Sequence, residues 1–204
     1  MSVCSYHRIN LQSKCTEQDP DNEQRYLEIT RPYEKKELTI FAKAMGELVL
    51  NVSKDPYSDL LGRYFTENVT SGHNGQFFTP EPVCDLMTRL ASGAQTVEHK
   101  SVLDPAVGSG RLLMSFAKLH PRNLFYAADS SSTCAQMTVL NMFLNGMRGE
   151  VAHMNSLSMS WHTGWEVNME GIGIQPIDCE KSRIWKSPQI LDAQTEAIGQ
   201  LTLF

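Results

Sequence analysis

The spacing of apolar residues along the chain changes character near Gly93. Before this point apolar positions recur every three or four residues, which is typical of amphipathic helices. After it, short apolar runs alternate with helical stretches. This order predicts an α/β fold with a parallel sheet and right-handed crossovers. The predicted strands are 101–104, 124–128 and 150–154, and the predicted helices between them are 111–119 and 131–144.

The part before Gly93 predicts a set of helices that carry a polar loop. One helix begins at Lys36, a second covers 60–65, and residues 66–75 form a loop. Thr79 is predicted as the N-cap of the next helix, with Pro80 at its first position. The residues predicted to line the buried face of that helix are Val83, Leu86, Met87 and Leu90.

Four regions follow from these patterns. Residues 1–35 are predicted to be an irregular arm, and 36–93 a helical segment that contains the GQFFTP loop. Residues 94–170 are predicted to form the core, and 171–204 a tail with at most a short helix near 189–198. One more short buried element is expected around Trp161, Trp165 and Val167.

Composition narrows the class of protein. The 204 residues suit a single domain, and no apolar run approaches the length needed to cross a membrane. The five cysteines are dispersed without a C-x-x-C pair, and the N-terminus has no apolar leader, so we expect a cytoplasmic protein with reduced thiols. The histidines show no metal-ligand spacing. The net charge of −5 does not predict unaided DNA binding.

The stretch SVLDPAVGSGRLL, residues 101–113, predicts a strand, a glycine turn and a helix in that order. This arrangement lets a backbone approach a ligand closely. Asp104 ends the strand and is expected to orient a ligand's ammonium or the turn amides, unless it is only a strand-end acid. Asp129 ends the next strand, where it could accept ribose hydroxyls or cap the following helix.

The segments GQFFTP (75–80) and DPAVGSG (104–110) together resemble the adenine-N6 DNA methyltransferases, most closely the modification subunit of type I restriction systems. DLLGRYF (59–65) resembles the helical lead-in of that family. The resemblance covers roughly 36–170. It implies a Rossmann-like S-adenosylmethionine-dependent core with an abbreviated parallel sheet, behind an N-terminal helical segment.

The same resemblance implies S-adenosylmethionine as cofactor. FFTP would cap its methionine end, and the glycine turn and following acid would hold its amino acid and ribose. Asn155 stands where the family usually has an acid near the cofactor's adenine. The implied cofactor-binding residues are Phe77, Phe78, Thr79, Pro80, Asp104, Pro105, Ala106, Gly108, Ser109, Gly110, Asp129 and Asn155.

The chain departs from the family at the catalytic element. The Asn/Asp-Pro-Pro-aromatic tetrapeptide, which holds a flipped adenine, is absent from the sequence. Asn168 is the best candidate for one acceptor group. The resemblance implies methyl transfer to adenine in DNA if the chain is active, with a specificity subunit as partner. The alternative is a non-catalytic cofactor-binding or regulatory module, brought to DNA by a sliding clamp or a partner subunit. Methylation of a small molecule or a protein stays open.

The last five residues, QLTLF, resemble the peptide by which bacterial proteins bind the polymerase sliding clamp. Gln200 would hydrogen-bond the clamp's groove, while Leu201, Leu203 and Phe204 would fill its apolar pockets. The other interpretation is a terminal strand that pairs with the core.

Overall fold

The computed structural model of the chain describes residues 20–68, 78–93, 95–169, 171, 173–186 and 200–202. A six-stranded sheet forms the centre of the fold, and in the described ranges six helices of at least nine residues precede or connect its strands. The helices are α1 (Pro20–Thr30), α2 (Lys35–Lys54), α3 (Leu60–Asn68), α4 (Glu81–Ser92), α5 (Arg111–Leu119) and α6 (Ser132–Leu144). The strands are β1 (Ser101–Asp104), β2 (Leu124–Asp129), β3 (Arg148–Asn155), β4 (Ser160–Val167), β5 (Ile174–Ile177) and β6 (Gln200–Thr202).

The strands lie in the order β5-β4-β3-β2-β1-β6. Strands β1, β2, β3 and β6 are parallel, and helices α5 and α6 form the crossovers between the first three. This arrangement confirms the predicted α/β fold class. Because the chain leaves β1 toward β2 on one side while β6 lies on the other, a crevice opens beyond the carboxyl end of β1.

The region after Asn155 differs from the prediction of one short element and a loop. The chain turns back within residues 156–159, and so short a connection can join only antiparallel strands. Strand β4 therefore runs antiparallel to β3, and β5 antiparallel to β4. The predicted helix at 189–198 lies outside the described residues.

The two faces of the sheet are covered differently. On one face, α5 and α6 pack onto the strands and bury residues such as Phe116, Phe125 and Val139. On the other face, Ile184 of a short helical segment, 183–186, is buried against the strands. Glu150 of β3 is 2% exposed and accepts hydrogen bonds from the Ser182 hydroxyl and two backbone N–H groups of that segment. Its burial raises the pKa of its carboxyl.

Two predictions for the N-terminal half were wrong in detail. Helix α1, Pro20–Thr30, lies within the region 1–35 that was predicted to be irregular. Helix α4 begins at Glu81 with Pro80 as its N-cap residue, so Thr79 lies one residue too early to cap it.

The buried face of α4 was also assigned to the wrong residues. Its buried residues are Cys84 and Thr88, because these small side chains let it pack closely on α5, where the Thr88 hydroxyl bonds to Ser115. The predicted positions Val83, Leu86 and Leu90 are 41%, 57% and 74% exposed, and only Met87 of that set is partly buried.

The C-terminal peptide follows the second of its two interpretations. The backbone of Gln200–Thr202 pairs with Ser101–Leu103 of β1 in parallel register. A backbone that is paired within the sheet cannot lie as an extended ligand in another protein's groove, so the clamp-binding prediction is withdrawn. Leu203 and Phe204 lie outside the described residues. None of the helices in the described ranges is long and apolar enough to cross a bilayer.

Candidate functional site

A cavity of about 300 Å³ lies at the carboxyl end of β1, in the crevice beside the first crossover. Two stretches that are distant in sequence line it together, one from Phe78 into α4 and the other from β1 into α5. The lining residues are Phe78, Thr79, Met87, Asp104, Pro105, Ala106, Val107, Gly108, Ser109, Arg111 and Leu112. A pocket of this volume is at the lower end of the range for small-ligand sites.

The glycines of the turn are required by its geometry. Gly108 and Gly110 have φ values of +59° and +89°, a region that favours glycine. A Cβ on Gly108 would lie 2.9 Å from Cδ1 of Phe78, so the Phe78 ring rests directly on the turn. A Cβ on Gly110 would lie 3.2 Å from Oγ1 of Thr138, the hydroxyl that donates to the carbonyl of Gly108. The turn is thus held between Phe78 and α6.

Asp104 is a buried carboxylate at the floor of the cavity. It is 4% exposed and accepts one hydrogen bond of 3.0 Å, from the backbone N–H of Ala106. Burial raises the pKa of its carboxyl to about 6, the Ala106 bond opposes this, and the nearby charge of Asp129 adds to it. A positive group in the cavity would remove this cost of burial.

Asp129 closes the turn from the neighbouring strand. Its Oδ2 accepts from the backbone N–H of Gly108 at 2.8 Å, and its Oδ1 accepts from that of Ser131 at 2.7 Å. The side-chain N-cap of α6 is Ser131, whose hydroxyl accepts from the N–H of Cys134, so capping does not need Asp129. A carboxylate has about four acceptor positions, which leaves roughly two of them for a ligand.

A second buried carboxylate, Asp59, was missed in the sequence. It is 1% exposed and joins α3 to the turn and to α6. It accepts hydrogen bonds from the Ser109 hydroxyl, from Arg111 Nε at 2.9 Å, from the Gly62 N–H at 2.8 Å and from Asn141 Nδ2 at 3.1 Å. A Cβ on Gly62 would lie 2.0 Å from the Oδ2 atom of Asp59, so this approach requires glycine.

Arg111 connects this network to the segment before α4. Its Nη1 donates to the backbone carbonyl of Thr79 at 2.9 Å. The same carbonyl accepts from Cys84 Sγ at 3.7 Å, and burial raises the pKa of that thiol to about 11, so Cys84 is a neutral packing group. The sequence signals for the network were an acid before a helix and an arginine directly after the glycine turn. Neither is specific without the structure.

Asn155 and Pro80, two further predicted cofactor residues, do not line the cavity. Asn155 is exposed, and its Oδ1 accepts from the N–H groups of Leu157 and Ser158, which starts the turn into β4. The next residue, Ser156, donates its hydroxyl to the carbonyl of Pro105 at 2.7 Å, which fixes this turn beside the cavity. Pro80 is exposed at the start of α4, and Phe77 lies outside the described residues.

The prediction that Asn168 is the catalytic acceptor was wrong. Because β4 runs antiparallel to β3, Val167 lies beside Gly149, at the opposite edge of the sheet from the cavity. Asn168 is 8% exposed, its Nδ2 donates to the carbonyl of Met147 at 3.0 Å, and its Oδ1 accepts from the Gly173 N–H at 3.2 Å. Its amide stabilises a turn and cannot contact a base at the cavity.

Comparisons with known proteins found a family and individual proteins that are similar to this chain. The family described as N-6 DNA Methylase matches residues 51–182. The methylase subunit of the type I restriction enzyme MpnII from Mycoplasma pneumoniae is 31% identical over 99 residues, which cover 46% of this chain and 18% of that protein. The crystal structure of a type I restriction-modification methyltransferase subunit from Streptococcus thermophilus shares 29% identity over 43% of this chain and 19% of that one, with a TM-score of 0.38.

The similarity to these two relatives therefore covers less than one fifth of their own length. The family match itself extends over more than half of the present chain and includes the glycine turn, Asp104 and Asp129. The resemblance predicted from GQFFTP and DPAVGSG is confirmed, and the chain belongs to the N-6 DNA methylase family.

Proposed function

We propose that the cavity at the carboxyl end of β1 binds S-adenosylmethionine. The observation that carries this proposal is that Phe78 and Thr79 share one cavity with the glycine turn from Asp104 to Ser109. These are the two motifs on which the family resemblance was based. Membership of a DNA methylase family supports the same cofactor.

The charges of the cavity suit this compound. It has a sulfonium and an ammonium, both positive, and one carboxylate. Asp104 is buried and destabilised by burial and by Asp129, so it would bind the ammonium and gain a partner of opposite charge. Asp129 would accept the ribose hydroxyls with its remaining acceptor positions. Phe78 would contact the methionine end. Bound there, the compound would supply an electrophilic methyl group.

Calorimetric titration with S-adenosylmethionine and S-adenosylhomocysteine tests this proposal. The chain offers a matched pair of variants, Gly108→Ala and Gly146→Ala, because both glycines have φ near +60° (+59° and +65°). A Cβ at Gly146 meets nothing within 4 Å, whereas one at Gly108 meets Phe78. We expect Gly146→Ala to bind as the unaltered chain does and Gly108→Ala to bind at least about tenfold more weakly. Absence of binding by the unaltered chain at millimolar ligand would refute the proposal.

Methyl transfer to DNA is a separate proposal. Adenine's amino group becomes a methyl acceptor when hydrogen-bond acceptors hold its N–H groups, and the family's tetrapeptide for this is absent from the sequence. Asn168 lies at the wrong edge of the sheet. We therefore propose that this chain supplies the cofactor half of a DNA adenine methyltransferase and that a partner subunit supplies the adenine-binding half.

Transfer of labelled methyl groups to unmethylated DNA tests this division of roles. The chain alone should give no incorporation above background. Incorporation that is lost in Asp104→Asn but kept in Asn168→Ala would show that this chain carries its own acceptor groups, and the proposed need for a partner would be wrong.

A further inference from the structure

Among the residues that the structure describes, Arg111 is the one cationic side chain that lines the cavity. We propose that Arg111 binds the carboxylate of the ligand's amino acid and so selects nucleosides that have an amino acid over those that lack it. This inference rests on the proposed binding of S-adenosylmethionine, and it assigns to one residue the recognition of the ligand's negative group.

Arg111 is held in position by contacts within the protein. Its Nε donates to Asp59 Oδ2 at 2.9 Å and its Nη1 to the Thr79 carbonyl at 2.9 Å, on opposite sides of the guanidinium fork. The Arg111 side chain is 13% exposed, and that of Asp59 only 1%. These contacts occupy two of the guanidinium N–H groups, and its planar fork presents further donors suited to a carboxylate. Little side-chain entropy remains to be lost on binding.

The distribution of charge around the cavity supports the same role. Asp104 lines the cavity and Asp129 lies close enough to act on its charge, so these two carboxylates make this part of the cavity negative. That negative charge favours the two cationic groups of the ligand and repels its carboxylate. Arg111 is the group in the described lining that can offset this repulsion. Asp104 and Arg111 lie at the two ends of one turn, so a zwitterionic amino acid can meet a partner of opposite charge at each end.

A purely structural role would have a different signature. Arg111 also connects Thr79 to Asp59, so its loss could loosen the cavity for every ligand. The two roles separate when S-adenosylhomocysteine is compared with 5′-methylthioadenosine, which shares the nucleoside thioether but has no amino acid. Carboxylate recognition affects only the first ligand. A loosened cavity affects both.

The experiment is calorimetric titration of both ligands against the full chain and three variants. In Arg111→Gln we expect the affinity for S-adenosylhomocysteine to fall about tenfold or more, since charge-assisted bonds to carboxylates are among the stronger ones. The affinity for 5′-methylthioadenosine should change less than about twofold. Arg111→Lys keeps the positive charge but not the planar guanidinium. It should also weaken only the binding of S-adenosylhomocysteine, by a smaller factor than Arg111→Gln does. Arg63→Gln removes an exposed arginine paired with Glu81 and should leave both affinities unchanged.

The outcomes are distinguishable. An equal loss for both ligands in Arg111→Gln and Arg111→Lys would overturn the inference and leave the proposed function intact. Equal affinity of the unaltered chain for the two ligands would also overturn it, because the carboxylate would then go unrecognised. If the unaltered chain binds neither ligand, the proposed function itself fails. Should Arg111→Gln not fold, as thermal unfolding would show, the Arg111→Lys comparison decides.

Discussion

The two edges of the sheet use buried polar side chains in opposite ways. At the amino edge, where the parallel strands begin, Asn123 Oδ1 accepts from the Lys100 N–H and its Nδ2 donates to the carbonyls of Val97 and His120. Asn168 is bonded to backbone in the same manner. At the carboxyl edge, Asp104 is equally buried but has one backbone donor. Burial alone therefore does not distinguish a structural residue from a ligand-binding one. For these three side chains, the number of hydrogen-bond partners within the protein does.

This difference predicts that Asn123 and Asn168 stabilise the protein, whereas the buried charge of Asp104 lowers its stability until a ligand binds. Four substitutions test this prediction, and they differ in the size of the change in stability that we expect.

The largest effect is expected at the amino edge, for Gly149→Ala. A Cβ there would lie 1.7 Å from the backbone carbonyl oxygen of Phe125, and the φ of +155° disfavours other residues. We expect a loss of more than about 3 kcal/mol in the free energy of unfolding, measured in urea. Gly146→Ala, in open space with φ +65°, is the control and should cost only about 1 kcal/mol. Equal losses in the two variants would contradict the packing argument.

The next effect has the opposite sign, for Asp104→Asn at the carboxyl edge. The pKa of this carboxyl is raised from 3.8 to about 6 in the folded protein, so the folded state retains its proton to higher pH than the unfolded state does. Stability therefore falls as pH rises between these values, by up to about 3 kcal/mol. Asp104→Asn should be more stable than the unaltered chain at pH 8 and lose this advantage below about pH 4.

The same variant should bind S-adenosylmethionine at least about tenfold more weakly, because the ammonium loses its charged partner. Urea unfolding across this pH range and calorimetry at pH 8 measure the two effects. A variant that is destabilised at pH 8 would show that Asp104 is a structural acid.

A smaller loss of stability is expected for Asn168→Ala at the amino edge. The substitution leaves the carbonyl of Met147 and the N–H of Gly173 without their partner, at a cost of about 2 kcal/mol. The affinity for S-adenosylhomocysteine should not change, since the residue is far from the cavity. Weaker binding without lost stability would return Asn168 to the functional site.

The smallest effect on stability is expected for Asp129→Asn at the carboxyl edge. An asparagine oxygen can still accept from Gly108 or Ser131, so the free energy of unfolding should change by less than about 1 kcal/mol. Binding of S-adenosylhomocysteine should weaken about tenfold, because the ribose hydroxyls lose charged acceptors. Asp178→Asn, at an exposed residue, is the control for the lost charge. Unchanged affinity in Asp129→Asn would argue against the ribose role.

The strand, turn and helix from Ser101 to Leu119 were predictable because their signals are local. The apolar run, the acid and the paired glycines each dictate the backbone near themselves, and the bounds of β1 and α5 match the prediction. The β4–β5 hairpin was not predicted. Its two tryptophans, Trp161 and Trp165, are four residues apart and imitate helical spacing, while a register shift between His153 and Met154 interrupts the alternation of β3 and β4.

The same difference between local and long-range signals decides which residues of the candidate site could be predicted. Asp104 and Asp129 were found because they stand at the ends of predicted strands, and Gly108 because it belongs to the glycine turn between the first strand and its helix. Asp59 and Arg111 were missed because their roles depend on contacts between α3, the turn and α6, which no local pattern encodes. The position of Asn168 follows from the antiparallel direction of β4, which the short turn at residues 156–159 determines.

The Asp59 network has a consequence for how the molecule assembles. Its carboxylate joins Ser109, 50 residues away, and Asn141, 82 residues away. Closing loops of that length has an entropic cost that slows folding. We therefore expect the hydrogen bonds of Asp59 to form late, after the sheet and its crossovers have formed. A polypeptide that starts after α4 would retain every strand and yet have no counter-ion for Arg111. If the cavity binds a nucleoside as proposed, that binding would report that the segment around Asp59 has docked onto the turn and α6.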